Sequence, residues 1–444
     1  MIERLSRAQN TSQDALYKKA DKLLRHIAAN PKRWTLRLVY VLLKWVFRRI
    51  YQGVDIEESE LARLREAAKK GPLVLLPSHK SHIDYLILSY VFYEHDLSLP
   101  HVAAGANLSF FPLGFLFRRC AAFFLRRTFG GNALYAAVFA GYVRRVLRNG
   151  FNMEFFIEGA RSRTGKLLPA KLGLLRMVCD AALDGQAPNV QLVPVAITYE
   201  KVVEDTSYAS ELLGGEKKKE NMGALLRARR VLRAKYGRID LQIGEPFGLL
   251  DVLAETGAQS SASESTRRRA VERLGHRIRY DIARASAVTP SALVAAAALG
   301  GSGRGLSRQS LGARVAALHK VAQASEARFS TALGQDFAGA IARALHLLVA
   351  DGILELRGKG DDQLIVLPDL GRGRLEYYKN NMIHAIADAS IVARAVLVAS
   401  GETIKIKEAA LRVSRLLKNE LVYRPGAAFA DIFSSTVSVL VETG

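Results

Sequence analysis

The stretch Leu73–Phe92 constrains this chain most. Leu73, Val74, Leu75 and Leu76 form an apolar run of buried-strand type that stops at Pro77. After Ser81 the apolar pattern becomes helical, from Ile83 to Tyr93. The alternation then repeats. Pro100–Ala104 reads as a second strand. A helix capped by Asn132 runs to Asn149, with Leu134, Val138, Tyr142 and Val146 on one stripe and Gly150 after it. Met153–Ile157 is a strand, Lys171–Leu183 a helix, Val190–Thr198 a long buried strand holding Pro194, and Ile239–Ile243 a last strand. Between the last two, Lys217–Tyr236 reads as a basic helix. Such alternation predicts an α/β domain with a largely parallel sheet flanked by helices.

On either side of this domain the pattern is helical. Residues 1–56 form an N-terminal segment. Within it Trp34–Tyr51 is apolar but carries Arg37, Lys44, Arg48 and Arg49. A spanning helix needs about 20 largely uncharged residues. Tryptophan and basic residues beside an apolar surface instead suit a helix lying in a membrane interface, with an ordinary buried helix as the alternative. The same holds for Gly105–Phe117, where Phe110, Phe111, Phe115 and Phe117 surround Pro112 and Gly114. That stretch could also line an apolar channel, with core packing as the alternative. The α/β domain covers 57–256, and the small polar run Gly257–Ser263 closes it. A mainly helical C-terminal domain follows over 266–444, with Ser307 and Asp336 as N-caps and a hairpin near 353–367 that gives it a winged-helix look.

Composition enters through charge. Lysine and arginine number 64 against 42 acids, a formal net charge of +22, which implies acidic partners: an anionic membrane, an acidic carrier or nucleic acid. Two cysteines, Cys120 and Cys179, make neither a disulfide framework nor a metal set and predict a reducing compartment. The polar N-terminus lacks the apolar core of a signal peptide.

His79 and Asp84 flank the strand-to-helix junction. In one continuous helix they would lie about 140° apart around the axis. They can meet only if His79 sits in the turn and folds back over the first helical turn. A carboxylate bonded to one imidazole nitrogen fixes the tautomer and leaves the other nitrogen to accept a proton from a hydroxyl. The pair is therefore a candidate base and its orienter. His82, two residues from Asp84, is the competing base and reads as structural or substrate-facing.

That pair stands in the first of four blocks in fixed order: Pro77-Ser-His79-Lys-Ser-His-Ile-Asp84-Tyr, Ala122-Phe-Phe-Leu-Arg126-Arg127-Thr-Phe-Gly-Gly-Asn132, Phe156-Ile-Glu158-Gly159-Ala-Arg161-Ser162-Arg163-Thr-Gly, and Val193-Pro194-Val-Ala-Ile-Thr-Tyr199-Glu200. From Pro72 to Phe247 the chain resembles the glycerol-phosphate acyltransferase family. That family includes bacterial membrane-bound glycerol-3-phosphate acyltransferases and peroxisomal dihydroxyacetone-phosphate acyltransferases. The part after Ala270, with Glu376-Tyr-Tyr-Lys-Asn-Asn381, is similar to it less tightly. The resemblance implies transfer of an acyl group from acyl-CoA or acyl-carrier protein to the sn-1 hydroxyl of glycerol-3-phosphate, the first step of phospholipid synthesis, with no metal or other cofactor.

By the same resemblance His79 is the general base and Asp84 its partner. Arg126, Glu158, Gly159, Arg161, Ser162 and Arg163 form the glycerol-phosphate site. Arginine suits it because its planar fork matches phosphate oxygens. Glu158 would orient the arginines or bond a glycerol hydroxyl, and Pro194 would shape the acyl-side wall. Our own addition is that backbone N–H groups near Ser81 and His82 hold the tetrahedral oxyanion. The basic run Lys217–Arg233 is a candidate for the CoA phosphates or an acidic carrier, with a solvated face as its bland alternative. The expected setting is peripheral, on the cytoplasmic face of the cell membrane. Relatives carry a longer N-terminal region, so the chain is either a short member or incomplete.

Two rival readings remain at this level. Dihydroxyacetone phosphate as acceptor uses the same residues. A basic nucleic-acid-binding protein would use the charge and the hairpin but leaves the Glu158 block without a purpose, so no nucleic acid is expected as partner.

Overall fold

A computed structural model describes residues 2–126, 131–187, 189–212, 234–301, 305–360, 363–399 and 402–443. Most of the basic helix expected over 217–236 lies outside the described residues, as does Arg127. The chain opens with helices α1 (Ile2–Gln9), α2 (Gln13–Ile27) and α3 (Arg33–Ile50). Then come β1 (Val54–Asp55), α4 (Glu58–Lys70), β2 (Leu73–Pro77), α5 (Asp84–Glu94), β3 (His101–Gly105), α6 (Leu113–Arg119), β4 (Ala122–Leu125), α7 (Ala133–Arg148) and β5 (Met153–Glu154). The domain continues through α8 (Leu172–Leu183), β6 (Gln191–Tyr199), α9 (Asp205–Leu212), β7 (Ile239–Ile243) and β8 (Phe247–Gly248).

Among the described residues these strands form one eight-stranded sheet in the order β1-β7-β6-β2-β5-β3-β4, with β8 on the flank of β6. β2 runs parallel to both β5 and β6, and β3 parallel to β4 and β5. β7 and β8 are antiparallel to β6. The expected mixed fold with a largely parallel sheet is therefore what forms. All five residues of β2 are buried because helices cover both faces. Successive side chains go to opposite faces. Leu73 and Leu75 pack with α4, α5 and the end of α3, while Val74 and Leu76 pack with α7 and α8.

The strand expected over Met153–Ile157 keeps its ladder only at Met153 and Glu154. Beyond them the chain leaves the sheet to build a loop, described below. Asn132 caps α7 as expected, accepting the Tyr135 N–H at 2.9 Å. Ser307 and Asp336 likewise cap the helices Arg308–Ala324 and Phe337–Ala350. The hairpin pairs β10 (Glu355–Arg357) with β11 (Leu364–Val366), and β11 also pairs with β9 (Gly305–Ser307). The buried core on the α4–α5 face runs on without a break into helices Pro290–Leu299 and Asp369–Asn381. No single described helix is long and apolar enough to cross a membrane.

Candidate active site

Parallel strands present their carboxyl ends at one edge of the sheet, where such folds bind ligands. His79 follows β2 there, the loop 155–168 follows β5, and Arg126 follows β4. The turn after Pro77 brings base and acid together as the spacing required. His79 Nδ1 lies 2.9 Å from Asp84 Oδ2, and both side chains are buried. The same oxygen accepts the N–H groups of Lys80 at 2.6 Å and Ser81 at 2.9 Å. Asp84 therefore holds the turn in shape and the ring in place at once. Its other oxygen accepts the hydroxyl of Tyr199. The imidazole stacks on Phe156, with centroids 3.8 Å apart, and meets the edge of Tyr85.

The loop after β5 grips this turn from the other side. Glu158 Oε1 accepts the His79 N–H at 2.8 Å, and Oε2 accepts the Leu168 N–H at 2.7 Å. Ser162 donates its N–H to the His79 carbonyl and its hydroxyl to the Lys166 carbonyl. Gly159 has φ +65°, and a Cβ there would strike the Lys171 side chain. These three residues, expected at the glycerol-phosphate site, fix the backbone that carries the base. Burial raises the Glu158 pKa to about 7 and lowers that of Lys80 to about 8.

The arginines divide. Arg161 joins the network of the turn: it donates to the Tyr208 hydroxyl at 2.9 Å and lies 3.7 Å from Glu204. Tyr208 in turn donates to the Lys80 carbonyl at 2.9 Å. Arg163 points away to an ion pair with Glu211. Arg126 is exposed, with its guanidinium 4.8 Å from the Tyr135 ring centre. It leaves β4, three strands from β2, roughly 14 Å at a sheet spacing of about 4.8 Å. No described contact joins it to the dyad.

One expectation is corrected. The N–H groups proposed for an oxyanion are already engaged: Ser81 donates to Asp84, and His82 donates to Glu204 at 2.9 Å. Glu204 also takes the Ser81 hydroxyl. Pro194 is buried in mid-β6 opposite Leu76, with its carbonyl bonded by Gly244 N–H. An apolar cavity of about 170 Å³ lies between α3, α5, α6 and the strands β3 and β4, and Pro194 does not line it. Leu36, Tyr40, Leu86, Tyr90, Val102 and Phe117 line it, and His82 and Tyr85 bring it to the dyad.

Sequence reasoning missed Tyr199, Glu204, Tyr208, Phe156 and Tyr85 as site residues. Tyr199 and Phe156 stood inside the matching blocks, and Tyr85 follows Asp84 directly. Glu204 and Tyr208 carried no signal.

The buried imidazole–carboxylate pair lies at the carboxyl edge of the parallel sheet beside an apolar cavity, within residues 56–198, which match an acyltransferase family profile. A second profile, described as the glycerol-3-phosphate acyltransferase C-terminal region, matches residues 208–444, and the chain belongs to that family. Among curated relatives, the glycerol-3-phosphate acyltransferase of Pasteurella multocida is 36% identical over 437 residues, 95% of this chain and 52% of the relative. That of Haemophilus influenzae strain PittEE is 36% identical over 403 residues, 89% of this chain and 49% of the relative. The chain thus spans about half the length of the curated relatives it matches. The crystal structure of the 1-acyl-sn-glycerophosphate acyltransferase of Thermotoga maritima is 17% identical and overlaps 59% of this chain and 96% of its own at a TM-score of 0.28.

Proposed function

We propose that this chain carries glycerol-3-phosphate 1-O-acyltransferase activity, with acyl-CoA or acyl-carrier protein as donor. The observation that carries the reading is the 2.9 Å bond from His79 Nδ1 to Asp84. With Nδ1 held there, Nε2 is the nitrogen free to take the proton of the sn-1 hydroxyl. The alkoxide oxygen attacks the thioester carbonyl, the C–S bond breaks, and the proton on His79 passes to the departing thiolate. Asp84 stabilises the imidazolium between those two steps. Arg161 supplies the cation for the acceptor's phosphate from the same network, and Arg126 a second one from the far side of the edge. The apolar cavity takes the part of the acyl chain nearest the thioester. The relatives' names support the acceptor, and no cofactor is needed by this route.

The same reading places the protein on a membrane, peripherally and on the cytoplasmic face. Trp34, Leu38, Val41, Leu42 and Trp45 are exposed on one stripe of α3. Phe110, Phe111 and Phe115 are exposed beside them, and the Arg119 guanidinium joins the two groups, 5.5 Å from the Trp34 ring and 4.0 Å from the Phe115 ring. Lys32, Arg33, Arg37, Arg48 and Arg49 flank the stripe. An apolar face of this size with a basic border fits the interface of anionic lipid. The same helix, α3, lines the cavity through Leu36, Val39, Tyr40 and Leu43, so an acyl chain would enter from the membrane side.

The test is acyl transfer by purified protein on anionic vesicles, with glycerol-3-phosphate and dihydroxyacetone phosphate run in parallel against both donors. Glycerol-3-phosphate should be the better acceptor, and His79→Ala should abolish turnover while substrate binding persists. Wild-type turnover in His79→Ala, or no transfer by the wild type, would reject the proposal.

A further inference from the structure

The carboxylate beside the base has a donor that the reaction scheme above does not use. Asp84 Oδ2 carries three bonds, from His79 Nδ1 at 2.9 Å, Lys80 N at 2.6 Å and Ser81 N at 2.9 Å. Among the described residues Oδ1 carries only the Tyr199 hydroxyl. We propose that Tyr199 is a positioning residue of the reaction, whose phenol pins the second oxygen of Asp84 so that the first stays aligned with His79. This inference rests on the dyad reading given under Proposed function.

Tyr199 is the last residue of β6 and is 2% exposed. Solvent therefore offers Oδ1 no substitute donor. A carboxyl group turns freely about its terminal torsion, which is broad rather than confined to staggered wells. With both oxygens held it has one orientation. With Oδ1 released, a buried charged oxygen is left unpaired, and the carboxylate gains by turning toward whatever donors Oδ2 already has. That competition weakens the bond that fixes the imidazole. The ring of Tyr199 is itself held: Tyr51, the residue after α3, lies 6.3 Å away centre to centre. Burial, then the Asp84 charge, pushes the Tyr199 hydroxyl well above its ordinary pKa, so it stays a donor across the working range. Phenylalanine at this position would keep the packing and remove only the bond.

Tyr199→Phe in the full chain is the experiment. A lost hydrogen bond to a charged group corresponds to roughly a tenfold to hundredfold fall in kcat. Both KM values should stay within about twofold, because the phenol touches neither substrate. In an Asp84→Asn background the same change should cost less than about threefold, because no charged partner remains to be oriented. A low-field proton resonance of His79 Nδ1–H, identified by its loss in His79→Ala, should shift in Tyr199→Phe. Additive losses, a kcat within twofold of wild type, or an unmoved resonance would each overturn the proposal. If Tyr199→Phe fails to fold, 3-fluorotyrosine at 199 keeps the bond with a more acidic donor, and the resonance must still move. The resonance is read without turnover, so a wild type that transfers no acyl group would sink the acyltransferase reading while Tyr199 is still judged.

Discussion

Replacing Asp84 by asparagine separates its charge from its shape. The side chain accepts two backbone N–H groups, the His79 ring and the Tyr199 hydroxyl. Alanine would strand the N–H groups of Lys80 and Ser81 in the interior at about 1–3 kcal/mol each, so its effect on rate could not be told from damage to the turn. Asparagine can place its carbonyl where Oδ2 stands and keep all three N–H bonds. Its amide nitrogen then faces Tyr199, whose hydroxyl turns to accept. What is lost is the full negative charge beside an imidazole that must become positive. Two unit charges about 4 Å apart interact by ~4 kcal/mol at an effective dielectric of about 20. At about 1.4 kcal/mol per decade that is roughly a thousandfold in kcat. It falls within the ~10²–10⁴ span of general acid–base effects. The assay is steady-state acyl transfer with both substrates varied, beside thermal unfolding of each protein. The expected result is kcat lower by about a thousandfold with KM values and folding little changed. A well-folded Asp84→Asn that retains kcat within about tenfold of wild type would refute the claim that this carboxylate stabilises a charged imidazole.

Other perturbations test the surrounding structure. Arg161→Ala should raise the acceptor KM by about tenfold or more and leave the donor KM alone, and Tyr208→Phe should raise it more weakly, because the phenol steadies Arg161 as well as holding the Lys80 carbonyl; an unchanged acceptor KM in Arg161→Ala would remove it from the phosphate site. Glu158 is held at a pKa of about 7 by burial, above its unfolded value of about 4.3, so the folded state binds the extra proton. Its contribution to stability is complete below about pH 4.3 and is lost as pH rises to about 7, by up to ~3–4 kcal/mol. The difference in unfolding free energy between wild type and Glu158→Gln should therefore fall over that window, and a flat difference would show that the carboxyl is not shifted. Replacing Trp34, Leu38, Trp45 and Phe111 together by serine should weaken binding to anionic vesicles by at least about a hundredfold, since each side chain is more than half exposed and free to enter lipid; cosedimentation at wild-type levels would show that this face does not dock.

What could be read from the sequence follows the range of the forces involved. Strand, turn and helix at 73–92 were legible because burial on both faces writes a continuous apolar run and a helix writes a different period. His79 and Asp84 were legible as a pair because five residues in one turn limit where they can meet. Glu158 and Ser162 were legible as important but not in their role. A carboxylate that bonds two backbone N–H groups is written in the sequence no differently from one that meets a substrate. Glu204 and Tyr208 were invisible because they reach the turn from a distant part of the chain, through α9 and the loop before it, and no local period records that approach. The oxyanion assignment failed for the same reason. It counted the free N–H groups of a helix start, and only the folded chain shows Glu204 and Asp84 already occupying them. Asp84, Glu158 and Glu204 together take the N–H groups of His79, Lys80, Ser81 and His82, and the imidazole keeps Nε2 for proton exchange. The turn is built to hold that ring still, and the charge developing on the acyl carbonyl must be met by groups outside it.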